Sequence, residues 1–319
     1  MTGIKIYRDH FTLEREIATG GFATIYQAEE AGSAQKIAIK VAHARKDNAF
    51  NETVYKEAEL LAAFQHRGIV NLKKLPPMPG KTGEQTWANA SVLRGRPAFF
   101  VMEYLSGGSL QQYIDHVKQL SGGEAAAIGL EVARALDHVH RRNVAHNDLK
   151  LENIVFREPV RKGLPFEPVL IDFGIATKAN VQSGQGTLYI MSPEQLELSK
   201  DTMPPELRMA REDELDKTKV DVWGLGVVMY YLIAGQLPFK GRTAKGITSR
   251  ILNDQPEPLV THTKKSFSPY LEELILEGCL AKNPRYRLEL LELGMALKKF
   301  SNGVTAQRSG PANRRRRFW

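Results

Sequence analysis

A chain of 319 residues, 42% hydrophobic and 25% charged, is long enough to bury a large core and has the balance of a soluble globular protein, not a disordered or fibrous one. Its single cysteine, Cys279, excludes an internal disulfide framework and suits a reducing, cytoplasmic compartment. The formal charge of +8 sits at one end, since Lys298–Trp319 holds seven Lys/Arg and no Asp/Glu, leaving the body nearly neutral. Residues Met1–Phe11 contain charges and lack the apolar run of a signal peptide. The most apolar segment, Val220–Ala234, is interrupted by Asp221, Gly224 and Gly226 and is too short to span a bilayer. It reads as a core helix, and no transmembrane segment is expected.

In chain order, Phe11–Thr19, Thr24–Glu29 and Lys36–Val41 read as strands, the first two joined by a turn at Gly20-Gly21. Such a glycine pair lets a backbone approach a ligand closely, and its N–H groups suit phosphate oxygens; a plain hairpin turn is the alternative. Asn51–Phe64 has helical periodicity, with Val54, Ala58, Leu61 and Ala62 on one face. After Val70–Leu75 comes a Pro/Gly-rich interruption, residues 76–97, expected as a mobile surface excursion, with partner docking as the alternative. Ala98–Leu105 reads as a strand and Ser109–Val117 as a short helix. Ser121 and Glu124 form a capping-box pattern that starts a long core helix running to about Arg142.

The stretch His146–Gly174 carries the chemistry. It opens with His146-Asn147-Asp148-Leu149-Lys150-Leu151-Glu152-Asn153 and closes with Asp172-Phe173-Gly174. Two short apolar strands, Ile154–Phe156 and Val169–Ile171, lie between. Carboxylate and amide oxygens presented on neighbouring loops suit Mg²⁺, a hard cation that binds through few protein ligands plus substrate phosphates. Further on, Glu197–Lys219 is a charged stretch expected as a solvated helix, and Asp221 opens the apolar helix. Ser301–Asn313 has the composition of a disordered segment. It leads into Arg314-Arg315-Arg316-Arg317-Phe318-Trp319, which suits an anionic partner, nucleic acid or membrane surface, or else is simply solvated.

Taken together, the ordered motifs resemble the eukaryotic-type (Hanks-type) serine/threonine protein kinases over Phe11–Phe300. That resemblance implies an α+β, bilobal fold, with a small mainly β N-lobe (about 11–105), a larger mainly α C-lobe (about 106–300) and a basic tail at 301–319. It implies ATP and Mg²⁺ as cofactors and a protein substrate with a Ser/Thr acceptor. Ile17-Ala18-Thr19-Gly20-Gly21-Phe22-Ala23-Thr24-Ile25 is similar to the Gly-rich loop, with Ala18 and Ala23 where the family has glycines. By the same likeness Lys40 holds the α- and β-phosphates and Glu57 pairs with it. Ile17, Ala18, Gly20, Gly21, Ile25, Ala38 and Val155 line the nucleotide, Met102 backs the adenine, and Glu103, Tyr104 and Leu105 supply backbone contacts. Asp148 becomes the catalytic carboxylate, Lys150 the lysine on the transferred phosphate, and Asn153 and Asp172 the metal ligands.

Gly186-Thr187-Leu188-Tyr189-Ile190-Met191-Ser192-Pro193-Glu194 resembles the end of an activation segment, with Ser183 and Thr187 as candidate phosphosites. Asp221, Glu194 and Arg287 match structural positions, the last two as an ion pair. Asn147 departs from the family's arginine. An uncharged side chain cannot pair with a phosphate as a guanidinium does, so activity is expected not to require activation-segment phosphorylation. The rival reading is a pseudokinase scaffold. Such proteins lack one of the lysine, the catalytic aspartate or the metal aspartate, and all three are present here.

Overall fold

The computed structural model describes residues 3–33, 35–44, 48–77, 83–173, 188–198 and 215–308. These fall into two compact units. The first runs through Ser106 and takes in Ile171–Phe173; the second holds Gly107–Leu170 and the described residues from Leu188 onward.

The first unit is built on a seven-stranded sheet and one helix. Strands β1 (Ile4–Ile6), β2 (Phe11–Thr19), β3 (Ala23–Glu30) and β4 (Lys36–Ala42) pair in sequence, all antiparallel. Strand β7 (Ala98–Glu103) then pairs with β4 and, on its other side, with β5 (Leu72–Lys73) and β6 (Ala88–Asn89). Helix α1 (Ala49–Ala62) packs on β7 and β4. Period-2 alternation sends Ile37, Ile39 and Val41 into a core with Phe11, Leu13, Phe99 and Val101. Ala38 and Lys40 therefore face the other way.

Two expectations are corrected in this unit. The fold begins before Phe11, because β1 pairs with β2 through the register Ile4↔Leu13, and Ile6 and Tyr7 are buried. The 76–97 excursion is anchored to the sheet by the two-residue strand β6 and a bridge at Gln85, and so is not a loose surface loop. Leu75 N–H donates to Gln85 O at 2.8 Å, β6 joins the sheet, and Ala88, Ala90 and Leu93 enter the core. Tyr7 Oη fastens the base of the excursion by donating to Pro76 O at 2.7 Å.

The second unit is mainly helical: α2 (Leu110–Val117), α3 (Gly122–His140), α4 (Pro193–Leu198), α5 (Lys217–Ala234), α6 (Ala244–Asn253), α7 (Pro269–Leu276) and α8 (Leu290–Arg308). A two-stranded ribbon, β8 (Ile154–Phe156) with β9 (Pro168–Leu170), completes it. The expected capping box starts α3, with Ser121 N–H donating to Glu124 Oε2 at 3.0 Å and Glu124 N–H to Ser121 Oγ at 3.4 Å. Apolar on all sides, α5 is buried over most of its length, as a helix at the centre of a large unit must be. At Gly107 a side chain is excluded by close approach, since a Cβ would lie 2.5 Å from Phe156 O while Gly107 N–H donates to that same oxygen.

Here too the sequence reading is adjusted. Of the expected 197–219 helix, residues 199–214 lie outside the described residues, and Lys217–Lys219 belong to α5. Buried Lys219 donates from Nζ to Arg287 O at 2.9 Å. The segment from Ser301 continues as helix to Arg308, so the structured chain passes the expected boundary at Phe300. Among the described residues no helix is long and apolar enough to cross a membrane.

Candidate active site

In the first unit, the face of β4 opposite the core carries Lys40, and the buried face of α1 carries Glu57 among Val54, Ala58 and Leu61. These meet: Lys40 Nζ donates to Glu57 Oε1 at 2.8 Å and Oε2 at 2.7 Å, with both side chains at most 3% exposed. Lys40 also donates to Asp172 Oδ1 and lies 5.0 Å from the Phe22 ring centroid. Asp172 holds a left-handed backbone, φ +55°, a conformation Asp tolerates better than most residues. The next residue, Phe173, is buried 5.5 Å from the Phe64 ring.

Burial works against the Lys40 ammonium, but the Asp172 and Glu57 carboxylates outweigh it and hold its pKa above the usual lysine value. Burial also pushes the Glu57 carboxyl up to about 8, with Asp172 adding to the rise and Lys40 opposing it. The three side chains thus form one buried ionic cluster, with the lysine held in its charged form by its two carboxylate neighbours.

At the β2–β3 turn, Gly20 N–H donates to Ala23 O at 2.9 Å. A Cβ at Gly21 would meet nothing within 4 Å, and one at Gly20 would only touch Ala23 O at 3.7 Å. The fold of this unit therefore does not itself demand glycine at either place. Ile17 and Ala18 lie on β2, Ile25 on β3, and Ala38 pairs in register with Met102 of β7. Glu103 N–H is taken by Asn71 O at 3.0 Å, so an adenine contact through that N–H is closed; Tyr104 Oη accepts from Arg15 Nη2 at 3.2 Å. Leu105 follows in the same unit.

In the second unit, the turn before β8 gathers Asp148, Lys150 and Asn153. Asp148 Oδ2 accepts from Lys150 Nζ at 2.7 Å and from Asn153 Nδ2 at 2.9 Å, and Asn153 Nδ2 also donates to Asp148 O at 2.8 Å. Asp148 Oδ1 is buried and has no hydrogen-bond partner among the described residues. An oriented carboxylate with one acceptor unused by the described residues is placed for a further donor. Val155 lies on β8.

The turn is fastened from below by α5. Buried Asp221 accepts from His146 N–H at 2.7 Å and Asn147 N–H at 2.8 Å, and its Oδ2 pairs with His140 Nε2 at 2.7 Å. Asn147 is left-handed, φ +63°, with Nδ2 donating to Ala145 O at 3.3 Å. Glu194, in the first turn of α4, receives a bidentate pair from Arg287, with Nη1 at 2.5 Å and Nη2 at 2.8 Å. No sequence pattern marks His140, and Phe22 stands in the Gly-rich-loop pattern without a role assigned to it. Gly174, Ser183, Thr187 and Arg314–Arg317 lie outside the described residues. Among the described residues no three His, Cys, Asp or Glu side chains form a metal cage. Mg²⁺ does not need one, because it keeps several waters and binds through one or two carboxylates plus phosphates. The carboxylate of Asp172 in the first unit and the amide oxygen of Asn153 in the second are each donors of the kind that this cation takes.

The model of the protein kinase domain matches residues 11–296. This chain belongs to the protein kinase domain family. Among curated relatives it is 27% identical over 290 residues to the serine/threonine-protein kinase PrkC of Bacillus subtilis, covering 88% of this chain and 39% of PrkC. It is 30% identical over 288 residues to the serine/threonine-protein kinase pkn3 of Myxococcus xanthus, covering 87% of this chain and 47% of pkn3. The chain thus spans less than half the length of these two relatives. A crystal structure of Rad53 residues 1–466 in complex with AMP-PNP has the same fold, at TM-score 0.66 and 22% identity, covering 90% of this chain and 64% of that one. The kinase-domain assignment agrees with the bilobal α+β expectation, a β-sheet unit followed by a mainly helical one.

Proposed function

We propose that this kinase domain transfers the γ-phosphoryl group of ATP to serine or threonine hydroxyls of a protein substrate, with Mg²⁺ as cofactor. The observation that carries the reading is the Asp148 carboxylate, held by Lys150 and Asn153 through one oxygen while the other has no partner among the described residues. A substrate hydroxyl donating to Oδ1 would be oriented for attack, and the same carboxylate would take its proton late in the transfer. Lys150, already on Oδ2, would share its charge with the phosphoryl group in transit. Lys40 would bind the α- and β-phosphates, and Glu57 would keep its ammonium from swinging away. Gly20 and Gly21, where the fold leaves room, would let backbone N–H groups reach phosphate oxygens.

Asn153 and Asp172 would hold Mg²⁺. The chemistry that it would supply there is positive charge against the charge developing on the phosphates. Serine/threonine preference rests on Lys150 at its place after Asp148 and on the two relatives named as serine/threonine kinases. The scaffold alternative gains nothing from the geometry, since lysine, catalytic aspartate and metal aspartate are all present and engaged. The test is transfer of labelled γ-phosphate to a generic basic protein. Asp148→Asn should lower turnover about 10²- to 10⁴-fold while nucleotide affinity stays within a few-fold. Nucleotide binding by the unmodified chain with no turnover on any acceptor would overturn the proposal in favour of a scaffold.

A further inference from the structure

The excursion after β5 meets α1, the helix that carries Glu57, and the contacts are specific. The Trp87 ring stacks on the Tyr55 ring with centroids 3.8 Å apart and planes 30° apart. Asn89 Nδ2 donates to Tyr55 Oη at 2.9 Å and to Arg96 O at 3.0 Å, tying helix and excursion through one amide. Ala98 N–H donates to Asn51 Oδ1 at 2.8 Å. Tyr55 and Asn51 precede Glu57 by less than two turns of the same helix. The excursion has its own anchorage in the sheet, through β6, the Leu75–Gln85 and Ala90–Pro97 backbone bonds and the buried Leu93.

We infer that the 83–97 excursion is a built-in brace on α1, with Trp87 and Asn89 as positioning residues that act through Tyr55 to keep Glu57 on Lys40. Physical need for such a brace is plain. Glu57 is a fully buried carboxylate, and α1 starts at Ala49 without a side-chain cap from Asn48, so contacts from outside the helix, such as Asn51 with Ala98, carry more of the task of fixing it. The aromatic stack and the amide bond hold α1 against an excursion that is itself hydrogen-bonded into the sheet. The inference rests on the proposed role of the Lys40–Glu57 pair in nucleotide binding.

The experiment uses the whole chain and reads three quantities that do not all depend on turnover. Trp87→Ala should speed amide exchange in α1 and leave α3 unchanged, and should weaken AMP-PNP binding about tenfold (~1.4 kcal/mol), as expected when a stacked pair and part of a hydrogen-bonded contact are lost. Trp87→Phe, which keeps the stack, should restore most of the affinity. In a Glu57→Gln background Trp87→Ala should add little, because its effect runs through Glu57. Equal losses in both backgrounds, or unchanged α1 exchange in Trp87→Ala, would overturn the brace. Should Trp87→Ala not fold, Asn89→Ala carries the same comparison with a smaller expected loss. A chain that never transfers phosphate, yet shows the coupled loss of α1 protection and AMP-PNP affinity, would refute the kinase reading and leave the brace standing.

Discussion

Glu194→Gln removes the partner of a guanidinium that the second unit has enclosed completely. The Arg287 side chain is 0% exposed and that of Glu194 13%. All five of its N–H groups are used: two go to Glu194, and three go to carbonyls of Ala281 at 2.9 Å, Lys219 at 2.9 Å and Lys282 at 3.3 Å. Its face lies 5.0 Å from the Trp223 ring. Taking one member from a buried pair costs about 3–5 kcal/mol, because the remaining charge keeps its desolvation penalty without the Coulombic return. The three carbonyls soften this, so the lower end, about 3 kcal/mol, is expected. For a unit of this size that is a fall in Tm of about 6 °C, read by calorimetry. A double substitution to Met at both positions should recover part of the loss, giving a coupling energy of at least ~1 kcal/mol in the double-mutant cycle. A Glu194→Gln protein melting within 1 °C of the parent, measured in the same scan, would show that the carbonyls alone satisfy the cation and refute the argument.

Other predictions test separate links. Burial pushes the Cys279 thiol up to about 12, so iodoacetamide should leave the folded chain unlabelled at neutral pH and take up one equivalent after denaturation; labelling of native protein within minutes would contradict this packing. Gly226→Ala would place a Cβ 2.6 Å from Cys279 Cβ, so α5 must shift, and urea unfolding should report a loss of about 1–3 kcal/mol; an unchanged midpoint would mean the helix yields freely. Lys40→Met should raise the ATP KM about tenfold or more, and because it strips buried Glu57 of its cation it should lower the Tm about as much as breaking the Arg287 pair; an unchanged KM would refute the phosphate-binding role. Phosphatase-treated chain should keep most of its turnover, because Asn147 cannot make a charge-assisted latch to a phosphate; near-complete loss on dephosphorylation, with Ser183 and Thr187 required, would refute that reading.

How far the sequence reveals this molecule depends on the range of the interaction. Local chemistry is legible: Ser121 and Glu124 start α3 because a capping box is written within four residues, and β2 keeps its expected bounds of Phe11–Thr19. Motif order picks out Lys40, Glu57 and Asp172, and the first unit brings their side chains together. What is not legible is pairing that only the tertiary fold supplies. Strand β1 has three residues with no period to detect, and β6 has two; each exists because a neighbouring strand offers its open edge. The Pro/Gly-rich composition before β6 reads as a loop, yet Ala88, Ala90 and Leu93 are small or apolar enough to close the core. Helix α8 runs past Phe300 because Leu297 and Ser301 are buried and the helix packs along α3, and each further residue costs little once a helix is nucleated. His140 matters through Asp221, a contact spanning 81 positions, which no local pattern encodes.

Asp221 has one more consequence, and it concerns time. The turn that presents Asp148 is set by hydrogen bonds to a carboxylate 75 positions further along the chain. During synthesis from the N-terminus, His146–Asn153 leave the ribosome well before α5 can form and bury Asp221. Local segments order within microseconds, but this contact must wait for the later part of the second unit. A newborn chain truncated before Asp221 therefore has every residue of the turn but lacks the acceptor for the His146 and Asn147 N–H groups that fixes it from α5. The geometry around Asp148 is therefore completed only when the later part of the second unit has folded.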